Sequence, residues 1–248
     1  AAASARLQTS DDAVTVSTFN LLCPAYRRLA GEDDREASYP EQYLERNKKI
    51  LELPMWFTSD IICAQEFWYS NEEVFQLYVN ALAGSHRLHG LQRAGPGGTR
   101  RPDGLFMAFS REWEVLHEAD IDFMDQAGRC AQLLHLRRPS RSESGGTPRP
   151  SELLVANVHL LFPHNAAAQR IRVREVHKLL AYIDEYKASL SDQPPPALIC
   201  GDFNGDADST VVQFLQRYGW QCSFSLHQNA SEAQEEGGSS SSSSSSRR

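Results

Sequence analysis

Hydrophobic and polar positions along the chain switch repeatedly between a period of two and a helical period, and that alternation predicts the elements. Residues 14 to 20, Val-Thr-Val-Ser-Thr-Phe-Asn, alternate and are rich in β-branched side chains, the pattern of a half-buried strand that ends at Asn20. Ser38-Tyr39-Pro40-Glu41 has capping-box spacing, and Tyr43, Leu44, Asn47, Ile50 and Leu51 follow at helical spacing until Pro54. The nearly all-apolar run from Asp60 to Glu66 suits a strand buried on both faces, with Glu66 at its end. Ser70 opens a second capping box, and its helix stops at Gly84. The glycine-, proline- and arginine-bearing stretch from Gln92 to Gly104 reads as a loop, and Gly104 to Phe109 as a strand. Short strands are then expected at 113–116, 121–123 and 131–136. The Ser/Gly/Pro/Arg-rich segment 137–151 is expected to be a disordered hairpin tip. A strand from Leu153 to His159, a helix capped by Asn165 and running to Tyr186, a strand at 197–200 and a helix from Ser209 to Tyr218 complete the pattern. Short strands alternating with a few long helices predict an α/β sandwich with helices covering stacked sheets.

Composition adds few constraints. The 248 residues, 41% of them apolar, suit one domain, expected over 13–229 between a flexible N-terminus (1–12) and a disordered acidic and polyserine tail (230–248). No apolar run approaches the roughly 18 residues of a membrane span. The five cysteines lack CxxC spacing and read as free thiols, which predicts an intracellular, reducing compartment: cytoplasm, nucleus or an organelle. A net charge of −7 argues against strong duplex-DNA binding but not against a phosphodiester substrate, whose charge a bound divalent metal can neutralise locally. Nothing in the sequence sets the oligomeric state.

Candidate chemistry lies at the strand ends. Asn20, Glu66, His159 and the turn Gly201-Asp202-Phe203-Asn204-Gly205 each follow a strand, where α/β folds collect reactive groups on a rigid frame. Taken singly, Asn20 reads as a turn residue, Glu66 as a loop acid and His159 as a core histidine. Their coincidence carries the functional reading. Carboxylates and amides without cysteine match a hard cation, Mg²⁺ or in its place Mn²⁺. The reaction that fits is phosphate-ester hydrolysis, with Glu66 on the metal, Asp202 on the water, His159 and Asn204 on phosphate oxygens, and Asn20 between metal and base. Two superficial patterns fail. The run from Asp202 to Asp208 starts like an EF-hand loop but has Ala207 and Gln213 where that loop needs Gly and Glu. His159 and His164 flank Pro163 and cannot share a helix face as zinc-protease histidines do.

Read in order, Ser17-Thr18-Phe19-Asn20-Leu21-Leu22, Gln65-Glu66, Asp103 to Phe109, Ala156-Asn157-Val158-His159-Leu160 and Gly201-Asp202-Phe203-Asn204 resemble the motifs of the endonuclease/exonuclease/phosphatase superfamily. Glu45 to Ile50 and Gly205 to Leu215 make the chain most similar to the branch of carbon-catabolite-repressor-type deadenylases, nocturnin and the angel proteins. The resemblance covers about residues 14 to 224. It implies a four-layer α/β/β/α sandwich, Mg²⁺-dependent cleavage by Asn20, Glu66, His159, Asp202 and Asn204, and a role for Asp103 in shaping the substrate loop. The family's terminal Ser-Asp-His motif has no counterpart after Asn204, and His227 does not supply it. The expectation is a fold truncated within an insertion, incomplete at its C-terminal side and of weak activity as it stands. The implied substrate is an RNA 3′ end or a nucleotide phosphate. A lipid or inositol phosphate is the alternative, as is a catalytically impaired scaffold protein.

Overall fold

Two parallel strand pairs organise the computed structural model, which describes residues 13–31, 33–125, 127–139, 151–163, 165–190 and 193–228. In the first pair β1 (Val16–Asn20) lies beside β2 (Ile61–Trp68), the chain crossing over through α1 (Pro40–Leu51) and the short α2 (Met55–Thr58). In the second, β7 (Ser151–His159) lies beside β8 (Ala197–Asp202), joined by α4 (Ala166–Ser189). Parallel neighbours need a long crossover, usually helical, so these helices fall where the pairing requires them. The other strands are β3 (His86–Ala94), β4 (Arg100–Ser110), β5 (Glu114–Asp122) and β6 (Cys130–Arg138), all antiparallel to their neighbours. The resulting sheets have the orders β1-β2-β4-β3 and β5-β6-β7-β8. Two further helices are α3 (Glu72–Leu82) and α5 (Thr210–Arg217).

Strand alternation distributes the core into three layers. On β2, Ile62, Ala64 and Phe67 pack against Tyr43 and Leu51 of α1 and Val74, Tyr78 and Leu82 of α3, with Phe67 stacked on Phe106 at 4.6 Å between ring centroids. On β7, Leu154, Ala156 and Val158 pack against Val176, Leu179, Leu180 and Ile183 of α4 and Val211 and Leu215 of α5. Between the sheets lie Ile61, Cys63, Met107, Phe109, Trp113, Leu134, Leu136 and Val155. The architecture is therefore the expected four-layer α/β/β/α sandwich. A buried amide cluster crosses the inter-sheet layer. Asn157 Nδ2 donates to Ala64 O (3.0 Å), Phe106 O (3.3 Å) and Gln132 Oε1 (3.2 Å), and its Oδ1 accepts from Gln65 Nε2 at 2.8 Å.

Several expectations need correction. Residues 92–104 are not one loop: β3 runs to Ala94 and β4 begins at Arg100, a hairpin whose exposed face hides the alternation. The strands expected at 113–116 and 121–123 form a single strand, β5. Ser38 does not cap α1; it lies in a 3₁₀ turn, and Tyr39 precedes the helix without a side-chain cap, leaving Pro40 to set the first turn. Asn71, not Ser70, caps α3, its side chain accepting from Val74 N. Arg137 and Arg138 belong to β6 and Ser151 to β7, while the proposed disordered tip between them, the flexible N-terminus 1–12 and the tail 230–248 lie outside the described residues.

Candidate active site

Side-chain parity on the two parallel pairs decides what meets at their carboxyl ends. Val16, Thr18 and Asn20 of β1 share one face, as do Val155, Asn157 and His159 of β7 and Cys200 and Asp202 of β8, and Val16, Val155 and Cys200 lie in the inter-sheet core. Asn20, His159 and Asp202 therefore inherit an inward direction. Glu66 does not: simple alternation from Ile61, Cys63 and Gln65 sends it to the helix side. The expectation that it ends a strand is also wrong, because β2 continues to Trp68. The register with β4 slips between Ala64 and Phe67, and Glu66 itself has φ 55°. This bulge turns Glu66 toward the site and restores the alternation at Phe67.

Asn20 lies between the two carboxylates. Its Nδ2 donates to Glu66 Oε1 at 3.2 Å and to Asp202 Oδ2 at 2.9 Å, while its Oδ1 accepts from Leu22 N at 2.8 Å. Glu66 Oε2 accepts from Cys23 N at 3.0 Å. His159 Nε2 is 3.9 Å from Glu66 Oε1 and 3.8 Å from Asp202 Oδ2. Asn204, at φ 50°, donates its backbone N–H to Asp202 Oδ1 (2.8 Å) and its Nδ2 to Leu160 O (2.8 Å), which fixes the turn against β7. The structure thus brings together all five residues singled out at strand ends. Asp103 stands apart. Its buried carboxylate accepts from Arg93 Nε (3.0 Å) and Nη2 (2.7 Å) and from Tyr26 OH (2.7 Å), so its partners are those two side chains.

Burial sets the protonation states. It raises the Glu66 carboxyl above its ordinary range, opposed by the hydrogen bonds from Asn20 and Cys23. It lowers the His159 imidazole to about 4, an effect that the nearby Arg129 guanidinium reinforces. His159 is therefore neutral near pH 7, and its contacts with the two carboxylates are not ion pairs. Among the described residues no lysine or arginine forms an ion pair with Glu66 or Asp202. Two converging carboxylates with no lysine or arginine ion-paired to them among the described residues suit a hard cation, and Glu66 is the carboxylate that would hold it, leaving Asp202 to a water. Among the described residues no set of three or more His, Cys, Asp or Glu is grouped as a cage, so water and substrate oxygens would complete the shell, as is usual for Mg²⁺.

Arg129 was not foreseen. Its guanidinium is buried, its Nη1 reaches His159 O at 3.4 Å, its Nε has no hydrogen-bond partner among the described residues, and burial lowers its pKa. The only signal in the sequence is an arginine abutting the apolar run of β6.

A family model described as the endonuclease/exonuclease/phosphatase family matches residues 17–246. The chain belongs to that family. An uncharacterized calcium-binding protein of Arabidopsis thaliana is 32% identical over 216 residues, which is 85% of this chain and 44% of the relative. Protein angel of Drosophila melanogaster is 24% identical over 186 residues, 71% of this chain and 48% of the relative. The chain thus spans about half the length of these relatives. Among solved structures, the 2′,3′-cyclic phosphatase ANGEL2 in complex with adenosine-2′,3′-vanadate superposes with a TM-score of 0.58 at 19% identity, covering 82% of this chain and 57% of that one. The human Nocturnin catalytic domain gives 0.57 at 20% identity, with 81% and 67% covered. These structures share the fold, and with protein angel they agree with the angel and nocturnin branch.

Proposed function

We propose that this domain hydrolyses a phosphate ester of an RNA end or a nucleotide with the help of Mg²⁺. The observation that supports the reading most directly is the meeting of Asn20, Glu66, His159, Asp202 and Asn204 where the two sheets' parallel pairs end. Bound on Glu66, the cation supplies positive charge for the phosphate oxygens. Asp202, held in place by Asn20 and by the Asn204 N–H, accepts the proton of a water directed at phosphorus. His159, neutral, donates a hydrogen bond to a phosphoryl oxygen as charge accumulates there, and the second Asn204 Nδ2 hydrogen is available for the same task. Asn20 fixes the spacing of the two carboxylates, which would otherwise repel. The substrate class is supported by the family and by the nucleotide-directed activity named for ANGEL2.

The test is phosphate or nucleotide release by the full-length protein from an adenylated RNA 3′ end, a 2′,3′-cyclic nucleotide and an inositol phosphate, with Mg²⁺ and with EDTA. Turnover on one of the first two that needs Mg²⁺ and is lost in Glu66→Ala is the expected result. Unchanged turnover in Glu66→Ala refutes the site, and turnover confined to the inositol phosphate refutes the substrate class.

A further inference from the structure

An arginine fork closes the turn that follows β1. Glu36, in the 3₁₀ turn Glu36–Ser38, is fully buried, and α1 holds both its oxygens: Arg46 Nε donates to Oε1 at 2.8 Å and to Oε2 at 3.0 Å, and Arg46 Nη2 to Oε2 at 2.6 Å. Arg27 Nη1 also donates to Oε1. The bidentate pair fixes the plane of the Arg46 guanidinium and leaves N–H groups on Nη1 and Nη2 pointing away from the carboxylate. These take two consecutive carbonyls, Leu21 O at 2.7 Å from Nη1 and Leu22 O at 2.8 Å from Nη2. On its amide side the same turn carries the site. Leu22 N–H donates to Asn20 Oδ1 at 2.8 Å and Cys23 N–H to Glu66 Oε2 at 3.0 Å, while Leu21 N–H pairs with Gln65 O at 2.9 Å. Leu21 O and Leu22 N–H belong to one rigid peptide plane, and Leu22 O and Cys23 N–H to the next. Each plane is therefore gripped at its oxygen by Arg46 and delivers its hydrogen to a side chain of the site. Leu22, between the two planes, has φ 54°, a strained conformation for leucine that persists only where the surroundings over-determine it.

We propose that Glu36 and Arg46 are positioning residues of the site: the carboxylate orients the guanidinium, the guanidinium fixes two successive peptide planes, and those planes aim Asn20 and Glu66. Lysine at position 46 keeps the charge but presents a single nitrogen, which cannot serve the Glu36 carboxylate and both carbonyls at once. Arg46→Lys therefore keeps an ion pair with Glu36 and releases the planes. The clamp itself rests on these hydrogen bonds, and its effect on turnover rests on the phosphoesterase reading.

Amide hydrogen exchange of the full-length protein, followed by NMR with neither metal nor substrate added, tests the clamp. In Arg46→Lys the buried Cys23 amide should exchange about 10–100-fold faster than in the wild type, as for the loss of one hydrogen bond to a charged group, while the amide of Leu179, in α4 on the other sheet, keeps its rate. In turnover with Mg²⁺, kcat should fall about 10–100-fold with KM within about twofold of the wild type, the result expected when a supporting group is displaced and substrate contacts are kept. Glu36→Gln keeps an acceptor for Arg46 but loses the charge; it should show both effects in smaller measure and replaces the lysine variant if that one fails to fold. An unchanged Cys23 rate, or equal acceleration at Cys23 and Leu179, overturns the proposal and assigns the pair to general stability. Unchanged kcat beside a faster Cys23 amide overturns it as well. A wild-type protein without turnover refutes the phosphoesterase reading instead, and the exchange rates then decide the clamp alone.

Discussion

Gly201 precedes the acid of the proposed site, and Gly201→Ala isolates why a glycine stands there. The residue has φ +140°, and a Cβ would lie 2.0 Å from Val158 O, its partner across the β7–β8 pair. Both atoms belong to paired strands, so neither can swing aside; reaching the 3.4 Å at which contact becomes ordinary requires the strands to part by about 1.4 Å. The backbone conformation costs about 1–3 kcal/mol for a non-glycine residue, and overpacking against fixed neighbours about 1–3 kcal/mol more. Urea unfolding followed by the fluorescence of the four tryptophans should therefore show a loss of about 2–6 kcal/mol. Two controls separate the contributions. Gly219→Ala also carries a positive φ, +86°, but meets nothing within 4 Å, and should cost about 1–2 kcal/mol. Gly84→Ala has neither constraint and should fall between neutral and about 1 kcal/mol more stable. If Gly201→Ala costs no more than Gly219→Ala, the argument that close strand approach demands the glycine is refuted.

Other perturbations probe the buried polar groups. Asn157→Ala removes the amide that crosses the inter-sheet layer and should lower stability by about 2–4 kcal/mol in the same urea assay; a loss under about 1 kcal/mol would show that the network is redundant. Asp103→Ala strips buried Arg93 of its carboxylate and should cost about 3–5 kcal/mol, part of which the double variant Arg93→Met/Asp103→Ala recovers. A double variant as unstable as the two losses added would refute that account. Burial first, and Asp125 second, raise the Glu175 carboxyl to about 8 in the folded protein. In the unfolded chain it titrates near 4.5, so the folded state holds the extra proton between these values. Stability should fall across that window as pH rises, by up to about 1.4 kcal/mol per pH unit, and Glu175→Gln should flatten the dependence. An equal slope in the variant would place the titration elsewhere.

How much of this site the sequence could disclose depends on which backbone rule positions each residue. Asn20, His159 and Asp202 obey strict alternation, so the same apolar pattern that reveals each strand also gives the direction of its last side chain. Capping residues such as Asn165, whose side chain accepts from Ala168 N, are legible for a similar reason: the signal is local. Glu66 breaks the rule. Its inward turn depends on a register slip against β4, a strand more than 30 residues away in sequence, and no local pattern records a slip between strands. The apolar run of β2 and the motif likeness both single out Glu66, but neither gives the direction of its side chain. Neither route found Arg129, or the Arg93 and Tyr26 that hold Asp103, because a charge destined for burial looks like any surface charge until the fold supplies its surroundings. The amide cluster of Gln65, Gln132 and Asn157 was hidden in the same way, inside strands that otherwise read as continuous core. Its position clarifies the site, since Gln65 adjoins Glu66 and Asn157 lies two residues before His159. The hydrogen bond between them ties the two sheets together one step behind the residues that meet in front.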